Sequence, residues 1–265
     1  MRNNKPIGVF DSGIGGMTVL SKLAEVFPCE DFIYVGDTLN CPYGVKSPEE
    51  IADLVTRVVH YLLSQDVKAI VIACNTATAN SAHLKAFVKI PVVGVIEPTA
   101  KYALKTSRNK NIAVLATNAT IDSKSYHKLI DKKRIVKRGK KYFVKCSEFV
   151  TAIEDKQFTN DYSFKLVKDK LEFLSDKNID TVVLGCTHFG LYTQEISRVL
   201  PQAKLVDCGG PTSQLLKKII KKEGLMADDF HTGTIRIATT GDPKQMEQQI
   251  DWFDKEYQGI FKVNI

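Results

Sequence analysis

Ala69-Ile-Val-Ile-Ala-Cys-Asn-Thr-Ala-Thr78 is a run of branched apolar residues that stops on a thiol, an amide and hydroxyls. A short Val/Ile-rich run without polar alternation reads as a strand buried on both faces, the kind found in parallel sheets. Such a strand needs none of the groups at its end. Cys74 is therefore either a small core residue or a thiol held out for chemistry.

Similar runs recur along the chain at Ile7–Phe10, Phe32–Val35, Val92–Ile96, Ile112–Ala116, Tyr142–Lys145, Thr181–Leu184, Lys204–Val206 and Ile235–Ala238. Amphipathic segments separate them. In Pro48–Leu63, for example, Ile51, Leu54, Val55, Val58, Val59 and Leu62 share one helical face. Strand-helix alternation predicts an α/β fold, with mainly parallel sheets flanked by helices. Ligands of such sheets bind beyond the carboxyl ends of strands. Four of those ends are polar: Asp11-Ser-Gly-Ile-Gly-Gly16, Cys74-Asn-Thr76, Glu97-Pro-Thr99 and Cys186-Thr-His188.

The ends also repeat. Ala69–Thr76 matches Thr181-Val-Val-Leu-Gly-Cys-Thr-His188, Glu97-Pro-Thr99 matches Gly210-Pro-Thr212, and Pro6–Ser12 matches Asn111–Thr117, in order and at nearly one offset. Two similar lobes are expected, residues 1–97 with 208–265 as the first and 98–207 as the second, with the active site at the inter-lobe cleft.

The 265 residues are 44% hydrophobic and 25% charged, which excludes disordered, collagenous and coiled-coil classes. No apolar run approaches the ~20 residues of a membrane helix. The N-terminal residues enter a strand-like segment without an apolar leader core, so a cytoplasmic protein is expected. Six scattered cysteines form no C-x-x-C pair, against a zinc ribbon or thioredoxin motif; no metal or cofactor is expected. The net charge of +7 is densest at Lys128–Lys141, a run without aromatic platforms that reads as a solvated helix end and turn, making nucleic acid an unlikely partner.

Cys74 and Cys186 each sit where a strand hands over to a helix, whose first amides can stabilise a thiolate. One activated thiol suggests a covalent nucleophile. Two, on opposite sides of a bound carbon, suggest proton removal on one face and delivery on the other, which inverts a stereocentre. Asn75, Thr76, Thr187 and His188 fit as donors to an amino acid's carboxylate or as partners of the thiols; their plainer readings are helix caps and a surface histidine. After the first strand, Gly13, Gly15 and Gly16 permit a tight anion-binding turn, but Thr18 stands where G-x-G-x-x-G requires its third glycine. A thiol redox enzyme and a non-catalytic anion- or nucleic-acid-binding regulator are the rival classes.

Gly8-Val-Phe-Asp-Ser-Gly-Ile-Gly-Gly16, Cys41-Pro-Tyr-Gly44, Ala73-Cys-Asn-Thr-Ala-Thr78 and Gly185-Cys-Thr-His188, in this order and spacing, resemble the glutamate racemases of the cofactor-independent aspartate/glutamate racemase superfamily. The resemblance implies a homodimeric two-lobed isomerase supplying D-glutamate for peptidoglycan, with aspartate racemase the nearest alternative. It implies Cys74 as the base toward D-glutamate and Cys186 as the base toward L-glutamate. Substrate contacts are implied at Asp11, Ser12, Tyr43, Gly44, Asn75, Thr76, Thr187 and His188, with Asp11 and His188 also polar partners of the thiols, and Glu154 as an assisting carboxylate. The chain departs from the family pattern at Phe189-Gly190-Leu191, usually Tyr-Pro-Leu, and in the segment Cys146-Ser-Glu-Phe-Val-Thr-Ala-Ile-Glu154.

Overall fold

The computed structural model describes residues 3–131, 139–154 and 160–265. The chain divides into two compact units, Met1–Val95 with Gly209–Ile265, and Ile96–Cys208.

The first unit contains β1 (Ile7–Asp11), β2 (Phe32–Gly36), β3 (Ala69–Ile72) and β4 (Val92–Gly94), and, from the C-terminal part of the chain, β9 (Ile235–Thr239) and β10 (Ile260–Lys262). Its helices are α1 (Met17–Val26), α2 (Pro48–Ser64), α3 (Asn75–Ala79), α10 (Gly209–Lys222) and α11 (Pro243–Gln249). The second unit contains β5 (Ile112–Ala116), β6 (Lys141–Lys145), β7 (Thr181–Gly185) and β8 (Lys204–Val206). Around them lie α4 (Ile96–Thr106), α5 (Asn118–Asp122), α6 (Ser125–Ile130), α7 (Ser147–Glu154), α8 (Asn160–Leu171) and α9 (Thr193–Val199).

Both sheets are parallel throughout the described residues. Their orders are β10-β9-β2-β1-β3-β4 and β6-β5-β7-β8. The stretch β2-β1-β3-β4 therefore recurs as β6-β5-β7-β8, and the strands bearing the two cysteine motifs, β3 and β7, hold equivalent places beside β1 and β5. The sequence repeat is thus a repeat of topology.

The repeat carries an exchange of helices. α4 follows the last strand of the N-terminal motif, β4, yet it packs in the second unit, against α6, β7 and β8. α10 follows β8 and packs in the first unit, against α1 and β4. Each unit is completed by the helix that the other unit's strand leads into.

Local chemistry sets the helix starts. Ser47 accepts the Glu50 amide and Glu50 reaches back to the Ser47 amide, a reciprocal cap, with Pro48 at the first helical position of α2. Ile51, Val55, Val58, Val59 and Leu62 then bury one face of α2, each worth about 1.5–3 kcal/mol of transfer free energy. β10 is a three-residue edge strand whose Phe261 and Lys262 are exposed, so it lacks the continuous buried run that marks β1, β2, β3, β5 and β7.

Candidate active site

At the carboxyl end of the first sheet, β1 and β3 are neighbours, with Phe10 opposite Ile72. This register brings the residues just beyond both strands together. Asp11 is fully buried and its Oδ1 accepts the Gly13 amide at 3.0 Å. The Tyr34 hydroxyl, from β2, donates to the Gly13 carbonyl at 2.8 Å. A Cβ on Gly16 would lie 2.4 Å from the Asp11 Cβ, so the turn closes against Asp11 only with glycine there. Burial pushes the Tyr34 phenol well up, and the charges of Asp11, Cys74 and Cys41 add to it, so Tyr34 remains a donor.

Cys74 itself is the N-cap of α3, and its sulfur accepts the Ala77 amide at 3.4 Å. The thiol also lies 3.6 Å from the Ser12 hydroxyl, toward which it donates. Asn75 and Thr76 are not caps: they are the first residues of α3 and are buried. An amide aimed at a sulfur stabilises its anion more than its thiol. Tyr43 and Gly44 lie on the 3-10 turn Tyr43–Val45, which packs against α3. Burial raises the Tyr43 phenol, and the Asp37 carboxylate raises it further.

The second sheet ends differently. Cys186 follows β7 and stands at the N-cap of the 3-10 turn Thr187–Tyr192, whose amides its side chain does not cap. Its sulfur lies 3.9 Å from Nδ1 of His188, which is only 3% exposed. His188 is therefore a buried partner of a thiol rather than a surface residue. Thr187 is buried beside it. Phe189 turns away into the core, edge-on to Phe149 with centroids 5.3 Å apart, so the departure from the family pattern there fills a hydrophobic position. Glu154 closes α7, and its side chain lies outside the described residues.

The two other buried thiols are of another kind. Cys146 is fully buried, donates to the Val144 carbonyl, and is pushed well up by burial. Cys208 donates to the Leu184 carbonyl at 3.3 Å. Among the described residues no two cysteines are joined, no His/Cys/Asp/Glu cluster could hold a metal, and no helix is long and apolar enough to cross a membrane. The lysine run Lys128–Lys141 falls partly outside the described residues.

Three residues at strand ends escaped the sequence reading. Asp37 follows β2, Thr117 follows β5 and caps α5 through the Thr120 amide, and Thr240 follows β9. The rule that selected the four polar ends, applied to every strand, finds all three.

A family model described as Asp/Glu/Hydantoin racemase matches residues 7–210. The chain belongs to that family. Membership makes the protein an isomerase, and the matched span includes both cysteine ends while leaving β9, α11 and β10 beyond it. Within the family, it is 39% identical over 254 residues to a glutamate racemase of Exiguobacterium sibiricum, 94% of this chain and 92% of that protein. It resembles the crystal structure of glutamate racemase isoform RacE1 from Bacillus anthracis at 33% identity, with a TM-score of 0.92, covering 99% of this chain and 98% of that one. The glutamate racemase of Francisella tularensis, solved with D-glutamate, is matched at 33% identity and a TM-score of 0.89, covering 98% of both chains.

Proposed function

We propose that this chain interconverts L- and D-glutamate without a cofactor, by proton transfer between the α-carbon and two cysteines. Cys74 is the base toward D-glutamate and Cys186 the base toward L-glutamate. The observation that carries the reading is the topological repeat: a cysteine stands just beyond each of two equivalent strands, β3 and β7, and each is followed by residues able to hold a carboxylate. The relative bound to D-glutamate supports the choice of substrate.

In this mechanism one sulfur, as thiolate, takes the α-proton, and the electron pair left on carbon spreads into the substrate carboxylate. The other sulfur, as thiol, delivers its proton to the opposite face. One C–H bond breaks, one forms, and the two sulfurs exchange protonation states. The Ala77 amide supports the anion on Cys74, whereas the His188 imidazole is placed to exchange a proton with Cys186.

A turnover of about 10 per second corresponds to a barrier of about 16 kcal/mol. At ~1.36 kcal/mol per unit, the bound carbon acid then lies at most roughly 12 pKa units above the thiolate. Ser12, Tyr43, Gly44, Asn75, Thr76, Thr187 and His188 carry the stabilisation that this demands, as donors and fixed dipoles around the substrate, and Asp11 contacts the substrate and is, with His188, a polar partner of the thiols. Glu154 assists as a carboxylate. The product supplies peptidoglycan synthesis, from a cytoplasmic homodimer of two-lobed chains.

Incubating the protein with L-glutamate or L-aspartate in D₂O tests this. Exchange of the glutamate α-proton with formation of the D-isomer is expected; exchange of aspartate but not glutamate contradicts the assignment.

A further inference from the structure

Asp37 is 2% exposed, and both of its carboxylate oxygens accept hydrogen bonds. Its Oδ2 accepts the Tyr43 hydroxyl at 2.6 Å and the Asn40 amide at 3.2 Å. Its Oδ1 accepts the Thr240 hydroxyl at 2.7 Å and the same Asn40 amide at 2.9 Å. Three donor groups thus hold both oxygens, the Asn40 nitrogen spanning the two, which commits Asp37 to this turn. The Tyr43 phenol is equally committed, since its one proton goes to Asp37 and burial holds it there.

The segment that carries Tyr43 is tied to the C-terminal part of the chain by further bonds. The Leu39 amide donates to Thr240 Oγ1 at 3.1 Å, Thr38 and Thr239 share a hydroxyl hydrogen bond of 2.6 Å, and the Gly241 amide donates to Thr38 Oγ1 at 3.1 Å. A Cβ on Gly241 would stand 2.4 Å from that Thr38 oxygen, so the two segments meet this closely only with glycine there. Residues 239–241 lie outside the span that the family model matches.

Resting on the glutamate reading above, we propose that Asp37 and Thr240 are positioning residues, which hold the Tyr43–Gly44 turn in the shape that receives substrate, and that Tyr43 offers substrate its ring and backbone rather than its hydroxyl. The C-terminal strand β9 thereby sets the geometry of a binding turn that precedes it by some 200 residues in sequence.

Steady-state kinetics on Asp37→Asn, Tyr43→Phe, Thr240→Val and the Asp37→Asn/Tyr43→Phe double variant test this, with thermal melts alongside. A loosened turn loses ground-state and transition-state binding together, so KM for glutamate rises by about tenfold while kcat stays within about threefold. The double variant is no worse than the worse single variant, because both disrupt one contact. Conserved KM with a fallen kcat contradicts positioning, as does an additive double variant. A loss of folded protein alone lowers apparent kcat and leaves KM unmoved, so that pattern also counts against the proposal. Unmodified protein that fails to exchange the glutamate α-proton overturns the underlying reading instead, and is seen before any variant is made.

Discussion

The Ala77 amide points at the Cys74 sulfur from 3.4 Å, whereas the Cys186 sulfur has the His188 imidazole at 3.9 Å. Two thiols at equivalent places of a repeated topology are thus supported by different chemistry, a backbone donor for one and a titratable ring for the other. Cys74 and Cys186 keep a small exposure, whereas Cys146 is enclosed completely, and burial pushes its thiol well up. Iodoacetamide labelling near pH 8, read by mass spectrometry, is expected to modify Cys74 and Cys186 well before Cys146. Equal labelling of the three in the folded protein contradicts this division.

Lys68 and Glu30 form an ion pair that is 1% exposed on each side. The lysine also donates to the Asn3 carbonyl, and Glu30 accepts the Ala227 amide at 2.8 Å. Lys68→Met leaves a buried carboxylate without its counter-charge and is expected to cost about 3–5 kcal/mol. Replacing both residues by apolar ones of similar size recovers most of that loss. Denaturant midpoints measure both, and a cost below about 1 kcal/mol for the single variant contradicts the account.

Asp180 accepts the Ser107 hydroxyl at 2.5 Å, the Arg108 and Asn109 amides at 2.7 Å and the Thr181 hydroxyl at 3.0 Å. Burial opposes its ionisation, yet these donors together hold its pKa below the ordinary 3.8. Folding therefore depresses the pKa, and the stabilisation is fully present above the unfolded value and lost as pH falls through the folded one. Asp180→Ala is expected to cost about 1–3 kcal/mol at pH 7 and to flatten the decline in stability below about pH 4. An unchanged acid limb in urea titrations contradicts that linkage.

The sheets were legible because β1, β2, β3, β5 and β7 are short runs buried along their whole length, as strands of a doubly covered parallel sheet are, Ala69–Ile72 among them. β10 was not, because its exposed Phe261 and Lys262 carry no burial pattern. The repeat was visible in Cys74-Asn-Thr76 and Cys186-Thr-His188, but the exchange of α4 and α10 was not, since an amphipathic stripe does not say which sheet it covers. Asn75 and Thr76 have the composition of caps, and the position went to Cys74 because a sulfur at the strand end is already within reach of the Ala77 amide. The position of Asp37 at a strand end was open to sequence reading, but its role was not, because its partners Tyr43 and Thr240 lie 6 and 203 residues away and only the fold brings the second to it.

The central claim, two cysteines acting on one α-carbon, is tested most directly by following racemisation of L- and D-glutamate with the unmodified protein, Cys74→Ser and Cys186→Ser. Each variant is expected to fold and to lose interconversion in both directions, because inversion needs a proton taken on one face and given on the other. Near-normal racemisation by either variant contradicts the account.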